Sequence, residues 1–159
     1  MTIEILSENA VKLLKEKGLR VAFAESCTGG MVSAAITSVA GSSQVLDLSI
    51  VTYSNGAKVK YVEVSERVLA KYGAVSSQTA LQMAAGIKAA ANADIGVGIT
   101  GIAGPDGGSD EKPVGTVYVA VNDRVEHFEF TGNRKEIREE TTKQTLTMLG
   151  EHIYDGFSI

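Results

Sequence analysis

The chain has 159 residues, 44% of them hydrophobic and 21% charged, enough for one domain with a continuous core. A net charge of −4 excludes a general electrostatic pull toward nucleic acid or anionic membrane. A single cysteine, Cys27, excludes an internal disulfide and fits a reducing, cytoplasmic setting.

Apolar residues at Ile3, Leu6, Ala10, Leu13 and Leu14 predict an amphipathic opening helix that stops at Gly18. Its charged residues Glu4, Glu8, Lys12, Lys15 and Glu16 set it apart from a signal peptide. Residues 21–24 (Val-Ala-Phe-Ala) read as a buried strand running into Glu25-Ser26-Cys27-Thr28-Gly29-Gly30 and a helix that reaches about Val39. After the turn Ala40-Gly41-Ser42-Ser43 comes a β-branched strand over 48–53. Ser65 caps a short helix ending before Gly73, and Ser76 or Ser77 caps an Ala-rich helix to about Ala91. A third strand over 95–100 leads into a Gly-rich loop over 101–112. Strands over 114–121 and 125–130 pair antiparallel around Asn122-Asp123, and a last helix spans about Arg134 to Gly150. Interleaved helices and strands without a linker predict one α/β domain over 1–159, with three layers and a mixed sheet.

Absences narrow the chemistry. His127 and His152 lack the spacing of a zinc site and argue against a histidine-based triad. There is no G-x-G-x-x-G after the first strand and no Walker motif. Hydroxyls, lysine and backbone amides remain.

Four segments are candidates. The junction around Ser26, Thr28, Gly29 and Gly30 is either an ordinary helix cap or a cradle of free N–H groups. Within it, Cys27 reads better as buried packing than as a nucleophile. In Gly41-Ser42-Ser43 with Tyr53 and Lys58, a lysine held neutral is the available base for a serine. If Asn55 caps a helix, Lys58 lies in its first turn, where the helix dipole lowers its pKa. If Asn55-Gly56 instead turns a hairpin, Lys58 is a plain strand residue. Asn133 with Glu136 resembles a capping box that places Arg134 first in the last helix, with Arg138 one turn on. That pair is either an anion site or a solvated surface. The loop over 100–108, with Gly101 and Gly104, is either a plain turn at Pro105-Asp106-Gly107 or a ligand cradle.

Together these segments resemble the CinA C-terminal domain family. The resemblance rests on Ala24 to Gly30, Gly41-Ser42-Ser43, Val51 to Asn55 with Lys58, Gly73 to Ser76, and Thr100 to Gly108 continuing through Lys112 to Val117. Gly56 stands where relatives carry a bulkier residue, and relatives often have a larger N-terminal domain resembling molybdopterin-binding proteins. The resemblance implies an α/β/α fold and nicotinamide-nucleotide amidase activity, converting nicotinamide mononucleotide and water to nicotinate mononucleotide and ammonia. It implies Ser43 as nucleophile, Lys58 as base, and Tyr53 and Ser26 as assisting polar groups. Arg134, with Arg138 the weaker choice, is implied as the family's essential arginine, and substrate binding is expected from Arg134 with Thr28, Gly29, Gly30, Gly101 and Gly104. No metal or organic cofactor is expected. The expected partner is a small-molecule nucleotide, not nucleic acid or membrane, and the expected assembly is a homo-oligomer.

Overall fold

The computed structural model describes residues 1–156. The elements in chain order are α1 (Ile3–Lys17), β1 (Val21–Glu25), α2 (Met31–Thr37), a 3₁₀ turn (Ser42–Gln44), β2 (Leu46–Val51), α3 (Asn55–Val62), α4 (Glu66–Tyr72), α5 (Ser77–Ala91), β3 (Ile95–Gly101), β4 (Thr116–Val121), β5 (Arg124–Glu129) and α6 (Arg134–Gly156). They form a single α/β domain around a mixed sheet of order β2-β1-β3-β4-β5. β1 runs parallel to both β2 and β3, while β4 is antiparallel to β3 and β5. Asn122, with φ 53, turns the β4–β5 hairpin expected from the sequence. No helix of the described residues is long and apolar enough to cross a membrane.

Strand alternation divides the interior between the two faces of the sheet. Val21 and Phe23 of β1, with Ile95, Val97 and Ile99 of β3, pack against Leu6, Ala10 and Leu14 of α1, Val32 and Ile36 of α2, and Ile137, Leu146 and Leu149 of α6. The alternate residues Ala22 and Ala24 face Val62, Met83 and Ile87 of α3 and α5. This second face is thin because small residues line it. A Cβ at Gly96 would lie 2.1 Å from Ala84 O, and one at Gly98 2.2 Å from Ala80 O. Glycines on β3 and alanines on α5 therefore bring helix backbone almost onto the sheet.

Beyond shifts of about two residues, as in β2 over 46–51, one boundary and one open alternative are decided for physical reasons. α6 runs through Gly150, because Ile153 lies fully buried beyond it and extends the apolar stripe. A helical glycine costs only about 1 kcal/mol, less than burying an isoleucine returns. At Asn55-Gly56 the chain forms a helix and not a hairpin. Ser54, rather than Asn55, is the cap, accepting from Ala57 N at 3.0 Å.

The close β3–α5 contact makes Gly98→Ala a test of this packing. The added methyl would meet Ala80 O, Ala84 N and Met83 Cβ, all within 3 Å. Overpacking of this kind costs roughly 1–3 kcal/mol, which lowers Tm by about 2–4 °C per kcal/mol for a chain of this size. Thermal unfolding of the variant checks it, and an unchanged Tm would show that the two layers can part freely.

Candidate active site

The crossovers leaving β1 and β2 lie on opposite faces of the sheet, and β3 returns beside β1. A crevice therefore opens at the carboxyl ends of these strands, where open α/β sheets bind ligands. It is a cavity of about 280 Å³, at the small end of the range for small-molecule sites. Ser26 and Cys27 enter it from the end of β1, Tyr53 from the end of β2, and Asn55 and Lys58 from α3. Thr100, Gly101 and the loop through Gly107 close the β3 side, and Arg134 stands at the first position of α6.

Lys58 brings a buried amine into this crevice. It is only 1% exposed, yet its Nζ lies 2.9 Å from Thr52 O, 3.4 Å from Tyr53 O and 3.2 Å from Ser26 Oγ. Burial disfavours the charged form and pushes its pKa below the usual lysine value. A neutral amine has two N–H bonds and one lone pair. In the structure Nζ is placed to donate to both carbonyls and to Ser26 Oγ; a neutral amine serving the two carbonyls would keep its lone pair for the Ser26 hydroxyl. Cys27, next in sequence, is the wrong nucleophile, because burial pushes its thiol up to about 12 and keeps it protonated.

Arg134 donates to Gly104 O at 2.8 Å and to Tyr53 Oη at 3.1 Å, which joins α6, the β3–β4 loop and the end of β2 at the mouth. The expected capping box forms reciprocally: Glu136 N donates to Asn133 Oδ1 at 2.9 Å, and Asn133 N to Glu136 Oε1 at 3.3 Å. This fixes where α6 begins. Gly104 has φ 79 and a Cβ there would lie 2.5 Å from Val114 Cγ1, so the loop can pass beneath the guanidinium only as glycine.

The cavity thus gathers Ser26, Lys58, Tyr53, Arg134, Gly101 and Gly104 and leaves out Ser43, Thr28, Gly29 and Gly30, as well as the weaker choice Arg138. Ser43, expected as the group that Lys58 deprotonates, does not line the cavity. Ser43 lies exposed in the 3₁₀ turn before β2, whereas Tyr53 and Lys58 follow β2. The six residues of β2 separate the two ends by about 20 Å, at about 3.3 Å per residue. Thr28 is buried and gives its hydroxyl to Glu25 at 2.7 Å, and Gly29 and Gly30 lie beyond the cavity wall. Arg138 binds backbone carbonyls of residues 27 and 28 and does not line the cavity. Asn55, Thr100 and Asp106 line the crevice without having been singled out for binding. Their signal in the sequence was membership of the candidate segments, Thr100 and Asp106 in the loop over 100–108 and Asn55 at the turn before Lys58. Among the described residues no cluster of metal-ligating side chains occurs. His127 stacks on Tyr118 at 4.6 Å, and His152 lies 3.2 Å from Asn122 Nδ2, both away from the cavity.

A single α/β domain with a mixed five-stranded sheet and a serine–lysine crevice at the strand ends defines the class of protein. The chain belongs to the CinA C-terminal domain family, whose model matches residues 3–153. It is 46% identical over 154 residues to a CinA-like protein of Syntrophotalea carbinolica and 47% identical over 154 residues to one of Citrifermentans bemidjiense, with 94% of the chain matched in each case. The chain spans only 37% of the length of each of these relatives. Among solved structures it resembles the competence/damage inducible protein CihA from Agrobacterium tumefaciens, with TM-score 0.90 and 44% identity over 92% of this chain and 93% of that one. It also resembles the competence damage-inducible protein A from Klebsiella pneumoniae, with TM-score 0.94 and 33% identity over 98% and 99% of the two chains.

The lowered pKa of Lys58 sets a pH dependence of stability. Between its folded-state pKa and the usual value of 10.5, the unfolded chain binds the proton that the folded chain has lost. Stability contributed at this site therefore rises with pH across that window and falls away as pH drops through it. Lys58→Met removes the titration. Urea unfolding of both proteins at several pH values up to 10.5 should show wild type gaining on the variant as pH rises. A constant difference would mean that Lys58 titrates as it does in water.

Proposed function

We propose that the chain is an amide hydrolase acting on the carboxamide of nicotinamide mononucleotide, with Ser26 as nucleophile and Lys58 as base. The observation that carries this reading is the buried Lys58 amine, its pKa lowered, 3.2 Å from Ser26 Oγ inside a crevice whose mouth holds Arg134. Membership of the CinA family supports the choice of substrate. A neutral Lys58 accepts the Ser26 proton as Oγ bonds to the carboxamide carbon. The tetrahedral intermediate collapses, the C–N bond breaks, and ammonia leaves with the proton returned by Lys58. Water, deprotonated by the same amine, then attacks the ester and releases nicotinate mononucleotide with Ser26 restored. Tyr53, which lines the crevice, is a candidate for orienting the amide and its developing oxyanion. Arg134 presents an always-charged, forked donor suited to the 5′-phosphate.

The experiment that tests this is ammonia release from nicotinamide mononucleotide, with product followed by chromatography. Ser26→Ala should lower kcat by at least a thousandfold, roughly as nucleophile removal does in serine hydrolases. Ser43→Ala, a change at an exposed turn, should stay within about twofold of wild type. If Ser43→Ala is inactive and Ser26→Ala active, the nucleophile is misassigned. Binding of the nucleotide by wild type without ammonia release would instead identify a non-catalytic binding module.

Arg134 gives a second test. A charge-assisted contact with phosphate contributes about 1.5–3 kcal/mol, or roughly ten- to hundredfold in kcat/KM. Arg134→Ala should lose that factor on nicotinamide mononucleotide and little on nicotinamide riboside, which lacks the phosphate. An equal loss on both substrates would move the phosphate site elsewhere.

A further inference from the structure

One turn after Arg134, Arg138 reaches away from the crevice and into the backbone that carries Ser26. Its Nε donates to Cys27 O at 3.0 Å and its Nη2 to Thr28 O at 3.0 Å. A Cβ on residue 29 would lie 3.2 Å from that Nη2, and Gly29 has φ 58, so a glycine lets the guanidinium close onto the turn. On the other side stands the fully buried Glu25 carboxylate. It accepts from Thr28 Oγ1 at 2.7 Å, from Val32 N and Ser33 N at 3.0 Å each, and from Ser33 Oγ. Gly29 N donates to Ser26 O at 3.0 Å and closes the turn between these two charges.

We propose that Arg138 is a positioning residue that aims Ser26 at Lys58 by holding the peptide planes that follow it. The inference rests on the reading of Ser26 as nucleophile. A carbonyl fixed by a hydrogen bond fixes its whole planar peptide unit. With the planes after Cys27 and Thr28 both held, the turn has little freedom to swing Ser26 Oγ away from the amine. Here the two successive carbonyls are met by Nε and Nη2 of one planar guanidinium, a rigid fork that the rotatable ammonium of a lysine does not reproduce. The same helical turn thus places Arg134 at the ligand and Arg138 at the nucleophile's backbone, one on each side of the crevice wall.

The test measures the reactivity of Ser26 without the natural substrate, so it does not depend on which amide is hydrolysed. A sulfonyl fluoride such as phenylmethanesulfonyl fluoride sulfonylates a serine oxygen: the O–S bond forms, the S–F bond breaks, fluoride leaves, and the hydroxyl proton passes to the base. The labelling rate of the Ser26 peptide is followed by mass spectrometry in wild type, Arg138→Gln and Arg138→Lys. Misplacement of a reacting atom by about 1 Å costs up to roughly a hundredfold in rate. Arg138→Gln should therefore label about 10- to 100-fold more slowly, with nicotinate mononucleotide bound within twofold of wild type. Arg138→Lys, which keeps the charge but carries its donors on a single nitrogen, should fall between, and it decides the matter if the glutamine variant does not fold. Labelling of the folded variants within twofold of wild type would overturn the proposal. So would nucleotide binding weakened as much as labelling, which would make Arg138 a ligand contact. Wild type that labels at Ser26 but releases no ammonia would sink the amidase reading and leave the role of Arg138 standing. Wild type never labelled at Ser26 would overturn both.

Discussion

A lysine amine out of water is the constraint around which this end of the fold is arranged. Leaving a buried polar group unpaired is costly, so Lys58 Nζ must find partners in the interior, and it finds them at the ends of two adjacent strands. The carbonyls of Thr52 and Tyr53 come from the chain just past β2, and the hydroxyl of Ser26 from just past β1. Parallel pairing of β1 and β2 brings these two ends together. The same low-polarity surroundings that make burial costly push the amine toward its neutral form, the form that the proposed hydrolysis requires of its base. Packing and chemistry are therefore one arrangement here.

The two faces of the sheet divide the labour. On one face, bulky aliphatic residues of α1, α2 and α6 form most of the core. On the other, glycine and alanine allow α5 to lie against β3, and α3 docks beside α5 so that Lys58 reaches the strand ends. The crevice opens where these two modes of packing meet. α6 joins both sides of the site, since its capping box fixes the start of a helix whose first two turns carry Arg134 and Arg138.

Charge is used sparingly and locally. Most of the ion pairs lie on the surface and carry little energy, as the Lys12–Glu16 and Lys135–Glu139 pairs do. The charges that matter are those facing backbone: Glu25 against the N–H groups opening α2, and Arg138 against the carbonyls of residues 27 and 28. Each meets exposed ends of peptide dipoles with the opposite sign.

By itself the sequence determined the order of helices and strands, the mixed character of the sheet and the segments from which the site is built, because hydrophobic periodicity, caps and turn residues act over a few neighbours. It also marked Ser26, Lys58, Tyr53 and Arg134 as groups of interest. Only the tertiary structure decided which of them meet. Ser43 sits 15 residues before Lys58 in the chain and Ser26 lies 32 before it, yet Ser26 is the one within hydrogen-bonding distance. The reason is strand direction: Ser43 precedes β2 and Ser26 follows β1, so parallel pairing of these neighbours carries them to opposite ends of the strands. Likewise Arg134 and Arg138 are equivalent in helical pattern, and only the docking of α6 sends one to the crevice and the other to the backbone behind it.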